Sequence, residues 1–291
     1  MQRSLFTFFL VFSTITASVA QKVEATSSEA DRSELKAQRD STRAHRIRWN
    51  KENTILKPII GVGAGVLNYF GEVNNNERTN PLINNYGLQF NIIKNFTPSF
   101  GLRFDVTYGK LTANERSVDR NLNFSTDLIT FNLHATYNFA GILPPNRFLN
   151  PYISVGVGAL NFSSKGDLKS EDGQTYHYWD DGTIRSLDQD ASQVESATIL
   201  QKDYTYETDL REANLDSLGD YSQFAFVIPF TFGLNFRVSP RSAIRLSSTF
   251  SYAFTDLIDN VSEKSLGNRK GDAANDMFLF TSISYHFDFF T

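Results

Sequence analysis

From Pro58 onward the chain alternates apolar and polar residues with a period of two, and the cleanest stretch is Phe100 to Tyr108. In an extended strand successive side chains point to opposite faces. Phe100, Leu102, Phe104, Val106 and Tyr108 therefore share one face, and Gly101, Arg103, Asp105 and Thr107 the other. The pattern returns in Ile129, Phe131, Leu133, Ala135, Tyr137 and Phe139, and again in Phe224, Phe226, Ile228, Phe230, Phe232, Leu234 and Phe236. A face bearing Arg103 and Asp105 suits neither a sandwich core nor a lipid-facing surface. One side of each strand is apolar, and the other is hydrated or paired.

Eight such segments follow one another: Ile60 to Phe70, Tyr86 to Phe96, Phe100 to Tyr108, Leu128 to Phe139, Tyr152 to Asn161, Gln223 to Phe236, Ala243 to Phe254 and Met277 to Phe289. Most approach the nine to eleven residues that a tilted strand needs to cross a bilayer, roughly twice the usual strand of a soluble sheet. Lipid cannot satisfy an open sheet edge, so a membrane assignment implies closure. The expected fold is all-β, an eight-stranded antiparallel transmembrane β-barrel.

The connections alternate in length, as they do when one end faces the periplasm. Thr97-Pro98-Ser99, Gly141 to Asn150 and Ser239-Pro240-Arg241 are short. Gly71 to Asn85, Leu111 to Asn123, Phe162 to Ser222 and Thr255 to Asp276 are longer, the third being a long extracellular loop.

Ahead of the strands, residues 1–20 read as a cleaved signal peptide, with Arg3, the apolar run Leu5 to Phe12 and the small-x-small site Ser18-Val19-Ala20. Residues 21–56 form a polar leader, assigned to the periplasm, too charged to bury much surface alone. Residues 57–291 are the barrel. The expected location is the outer membrane, with its lipid as first partner.

Composition sharpens this picture. The chain has 26 Phe and 12 Tyr but 2 Met and no Cys, and its mean hydropathy of −0.31 is too polar for a helical membrane protein. Without Cys there is no disulfide, thiol catalysis or Cys-ligated zinc. A net charge of −4 offers no field for nucleic acid, which is excluded as a partner.

The lumen of an eight-stranded barrel is just wide enough for side chains. The inward ionisable residues Arg103, Asp105, His134 and Arg245 are expected to form a buried charge network around Asn132 and Asn235, structural in role. In the acidic third loop, His177, Trp179, Asp180 and Asp181 mix aromatics with carboxylates and are candidates for a ligand or cation contact, although EF-hand spacing is missing. A solvated hairpin is the preferred reading there, and no metal is assigned. The four His have no zinc spacing, and no nucleophile elbow or phosphate loop occurs. Gly61, Gly63 and Gly65 alternate along a strand and are not followed by a helix, unlike a dinucleotide fingerprint. No catalytic residue, enzyme activity or cofactor is expected.

The stretch Asn68-Tyr69-Phe70-Gly71-Glu72 after a glycine-alternating strand, Arg103, Tyr108-Gly109 and Arg120-Asn121-Leu122-Asn123-Phe124 resemble outer-membrane barrels of the Bacteroidetes. Within the OmpA-like barrel superfamily they are similar to the PorG-type barrels linked to type IX secretion. That resemblance implies a non-enzymatic structural or partner-binding scaffold linked to protein secretion, with periplasmic or secretion-system proteins as partners. The alternative is a narrow pore or transporter for a small or apolar solute.

Overall fold

The computed structural model describes residues 36–42, 58–77, 84–117, 119–139, 142–143, 148–239 and 241–289. The signal peptide, most of the leader, Pro144-Pro145 and Pro240 fall outside them. The chain divides into two compact units, Met1–Ile55 and Leu56–Thr291. In the first, residues 36–42 are helical and mostly exposed.

The second unit is a closed antiparallel barrel of eight long strands: β1 (Ile59–Phe70), β2 (Tyr86–Asn95), β3 (Phe100–Arg116), β4 (Asn121–Asn138), β5 (Leu149–Gly166), β6 (Phe224–Arg237), β7 (Ser242–Ala253) and β8 (Met277–Asp288). Each strand pairs with its sequence neighbours. Closure comes from β1 against β8 in continuous register, Ile59↔Asp288 through Phe70↔Met277. Glycine makes the seam tight. A side chain at Gly65 would run into the backbone of Thr281 and Ser282 on β8, with its Cβ overlapping the Thr281 carbonyl oxygen.

Alternation places the apolar residues outside. Val62, Leu133, Val157, Phe226 and Phe230 are each half exposed or more. On β3 this belt runs from Phe100 to Tyr108, roughly 30 Å of strand, and ends at an outward charged pair, Lys110 and Asp127, 4.0 Å apart.

Three strands outrun their sequence pattern. β3, β4 and β5 are 17, 18 and 18 residues long, so the loop expected at Leu111 to Asn123 is a strand extension closed by a turn in which Ser117 N–H donates to the Arg120 carbonyl. Beyond Gly109 the wall is covered on both sides. The backbone N–H groups of Asn76 and Glu77 donate to the Asn114 carbonyl, and Tyr206 from the third loop hydrogen-bonds the Asn114 side chain. Double coverage removes the alternation that revealed the rest. The third loop likewise starts after Gly166, and its Thr208–Asp209 segment pairs with Lys165 and Gly166.

Candidate functional site

The inward face divides into two storeys, and the side chains in each decide what can pass. Near the short turns it is polar. Arg103 Nε lies 3.1 Å from Asp105 Oδ1, and His134 Nε2 lies 2.8 Å from the same oxygen. Asn132 donates to Asp105 Oδ2 at 2.9 Å, and Arg103 donates to Thr231 at 2.8 Å. All are almost fully buried. The network follows from register, since Arg103 is opposite His134, and Asp105 opposite Asn132, on β3 and β4.

Arg245 stands apart from this group. It faces the Tyr152 ring, 4.9 Å from its centroid, and leaves Nε and Nη1 without a partner among the described residues. Asn235 is its cross-strand neighbour. His286, not singled out from the sequence, fills the lumen here. Its ring lies over Gly61, in the space that a Cβ at that position would need. The alternating glycines of β1 make room for this ring and for Ser284, which hydrogen-bonds His286 Nε2 at 2.8 Å.

Toward the long loops the lumen turns apolar. Leu67, Leu111, Leu128, Leu160, Phe162, Phe278 and Phe280 form one buried cluster with loop residues Val73, Ile258 and Val261. Ile258, from the β7–β8 loop, is fully buried. Thr126 and Ser164 each donate to its carbonyl at 2.6 Å, and its N–H donates to Asp276 at 2.8 Å. Both of its backbone polar groups are thereby satisfied inside the mouth, as a buried peptide requires. A residue held in this way is a cork.

A ring of acids secures the cork. The Tyr69 hydroxyl lies 2.5 Å from Asp276 and 2.7 Å from Asp259. Glu72, Asp256 and Asp276 bring carboxylate oxygens within 4.8 Å of one another, a spacing that could hold a metal ion. Burial first, then crowding by like charges, pushes these acids up: Asp259 to about 7, Asp256 to about 8, and Asp276 well above the ordinary carboxylate range. Crowded buried carboxylates relieve repulsion by keeping protons. The donors come from positions 72, 256, 259 and 276, so no local motif signalled them, although Tyr69 and Glu72 belong to the Asn68–Glu72 stretch.

The third loop uses its candidate residues on itself. Trp179 donates to the Leu187 carbonyl and lies under Arg185, 3.8 Å from the ring centroid. Asp181 accepts from Thr183 and pairs with Arg185 at 3.0 Å. Asp180 bonds Gln189, and His177 faces Asp188 at 3.6 Å. Trp179 and Asp181 both meet Arg185, which is also the cross-strand partner of His177, whereas Asp180 turns to Gln189. The loops instead lock to one another: Arg269 pairs with Asp216, and Lys202 bridges Glu77 and Asn114.

Comparison with protein-family models gave no match, and neither did comparison with curated proteins. Among solved structures, the chain is similar to Neisserial surface protein A, with TM-score 0.39 and 9% identity over 80% of this chain and 97% of that one. It is also similar to Ail, the attachment invasion locus protein of Yersinia pestis, with TM-score 0.36 and 10% identity over 80% and 98%. A major outer membrane protein from Thermus thermophilus gives TM-score 0.45 and 12% identity over 80% and 99%. The barrel assignment rests on this chain's own strand pairing.

Proposed function

We propose that the protein is an exported outer-membrane barrel with a sealed lumen, acting as a non-enzymatic scaffold that binds partners. The corked mouth carries this reading. Ile258 and the buried apolar cluster beneath it fill the loop end of the lumen above its charged half. An apolar outward belt bounded by Lys110 and Asp127 supports a bilayer setting. The short turns then face the periplasm, together with the leader, and the interlocked loops face outward.

A link to protein secretion is the sharpest form of this reading. It is supported by the resemblance of the Asn68–Glu72 stretch to barrels of the Bacteroidetes, and the same stretch supplies Tyr69 and Glu72 to the ring that holds the cork. The test is affinity purification of the tagged protein from native outer membranes after gentle detergent extraction. Co-purifying periplasmic or secretion components, lost on deletion of residues 21–56, are the expected result. A clean monomer would overturn the scaffold reading.

A further inference from the structure

Where β5 passes into the third loop stands a carboxyl that is buried without a counter-charge. Asp167 is fully buried. Its Oδ2 accepts from the Tyr204 N–H at 3.1 Å, while its Oδ1, also buried, has no partner among the described residues. Asn123 on β4 fixes the residue against the wall, accepting from the Asp167 N–H at 2.6 Å and donating to its carbonyl at 3.0 Å. Lys202 acts on the carboxyl from the third loop, but its ammonium is taken by Glu77 at 3.1 Å and by Asn114 at 2.8 Å. An ionised carboxylate here would hold a desolvated oxygen with no donor, a state that a buried acid avoids by keeping its proton. Burial accordingly pushes Asp167 up to about 7.

The strap over this carboxyl is tied down through side chains. Residues 201–206 form neither helix nor strand. Tyr204 N–H reaches Asp167, Lys202 reaches Glu77 and Asn114, the Tyr206 hydroxyl bonds Asn114, and Asp203 N–H donates to the Tyr176 hydroxyl at 3.3 Å. Tyr204 has a φ of 58°, a left-handed backbone that a bulky residue adopts only under strain. Other charges around the carboxyl sharpen its position. Asp203 and Glu207 from the same loop add like charge, and β4 offers only the neutral Asn123. Glu77 from the first loop and Arg116 from β3 act on the surrounding phenols, Tyr178 and Tyr204. Burial pushes those two, with Tyr176 and Tyr206, above the ordinary phenol value, so all four stay neutral through the neutral range.

We infer that Asp167 is a protonation latch for this strap. With the carboxyl neutral, residues 201–206 lie docked on the extended wall; with it ionised, they release and uncover Asn114 on β3. The docked state holds one proton more than the released state, where the carboxyl returns to an ordinary value of about 3.9. Docking is therefore complete below the lower value, weakens as pH rises, and is lost past about 7. The strain at Tyr204 and the like charges of Asp203 and Glu207 favour release once the proton leaves.

The test is hydrogen exchange of the full-length protein in detergent, with protection corrected for the intrinsic exchange rate at each pH. Protection of the amides of residues 203–206 should fall close to tenfold per unit between about pH 5 and 6.5, the slope of a single proton, and level off above about pH 8. Asp167→Asn keeps the shape of the side chain without its charge, so these amides should stay protected across the whole range. The β7–β8 loop, governed by the acid ring, should keep its wild-type response in that variant. If Asp167→Asn does not fold, Asp203→Asn decides in its place, because removing a like charge beside Asp167 should move the fall to lower pH. Level protection from pH 5 to 8.5 in the wild type, a fall that persists in Asp167→Asn, or one that is unmoved in Asp203→Asn would overturn the latch.

Discussion

Tyr69 and Asp276 are joined by a 2.5 Å hydrogen bond across 207 positions of sequence. The same hydroxyl lies 2.7 Å from Asp259. A phenol has one proton to donate, so the second short contact needs a proton on one of the two carboxyls. The cork is therefore held by a ring that retains a proton near neutral pH, and Ile258 depends on it directly because Asp276 also accepts the Ile258 N–H.

This fixes the sign of a pH dependence. Asp259 titrates at about 7 in the folded protein and at about 3.9 in an unfolded chain. Between those values the folded state holds more protons, so stability is full below the lower value and is lost as pH rises through the upper one. Urea unfolding midpoints should fall from about pH 5 to about pH 8.5, a window that spans the folded value, and the slope should flatten in Asp259→Asn and Asp276→Asn. A wild-type midpoint that rises over this range would contradict the assignment.

Removing Asp105 leaves Arg103 buried without its counter-charge, at 3.1 Å from where the carboxylate stood. Breaking such a pair costs about 3–5 kcal/mol. Asp105→Ala should lower unfolding stability by that order, whereas the double change Asp105→Ala with Arg103→Leu should recover much of it. Strictly additive losses, read from a double-mutant cycle, would mean that the two residues are not coupled.

Gly65→Val places a branched side chain against the β8 backbone at the seam. The barrel should fail to close, which an electrophoretic mobility shift on heating reads directly. Gly173, in an open surface turn with no atom within 4 Å of an added Cβ but a φ of +78°, should tolerate Asn with the shift retained. A normal shift in Gly65→Val would place the seam elsewhere.

Leu133 lies midway along the outward belt of β4, half exposed. An Arg at the bilayer midplane of such a wall costs about 2–4 kcal/mol. Leu133→Arg should destabilise the barrel in lipid vesicles by that amount, while Asp127→Arg at the belt's edge should cost far less. Equal effects at both positions would remove the case for a membrane-facing belt.

The barrel was legible in the sequence because its outer face is almost purely apolar and its inner face, in the turn-end half, is polar. Phe100 to Tyr108 alternates for that reason, and so does Phe224 to Phe236. Where both faces become buried, the signal fades: Leu111 to Arg116 and Asn121 to Asn123 are strand but read as loop. The apolar storey was equally hidden, since inward Leu67, Leu128 and Phe280 look like breaks in an alternating pattern. Arg103, Asp105 and His134 were readable from their face and spacing. The separation of Arg245 was not, because it depends on which strands adjoin and on Tyr152, which sits over Gly233 on the neighbouring strand. The acid ring unites four distant positions, and only tertiary structure brings them together.

Everything proposed for the barrel turns on a sealed lumen, and single-channel recording of the purified protein in planar lipid bilayers tests the seal most directly. The corked structure predicts no unitary current steps in the wild type, with Ile258→Asp loosening the mouth but leaving the apolar storey to block current. Stable, reproducible unitary conductance from the wild type, reduced by mutation of lumen residues such as Arg103 or Arg245, would contradict it.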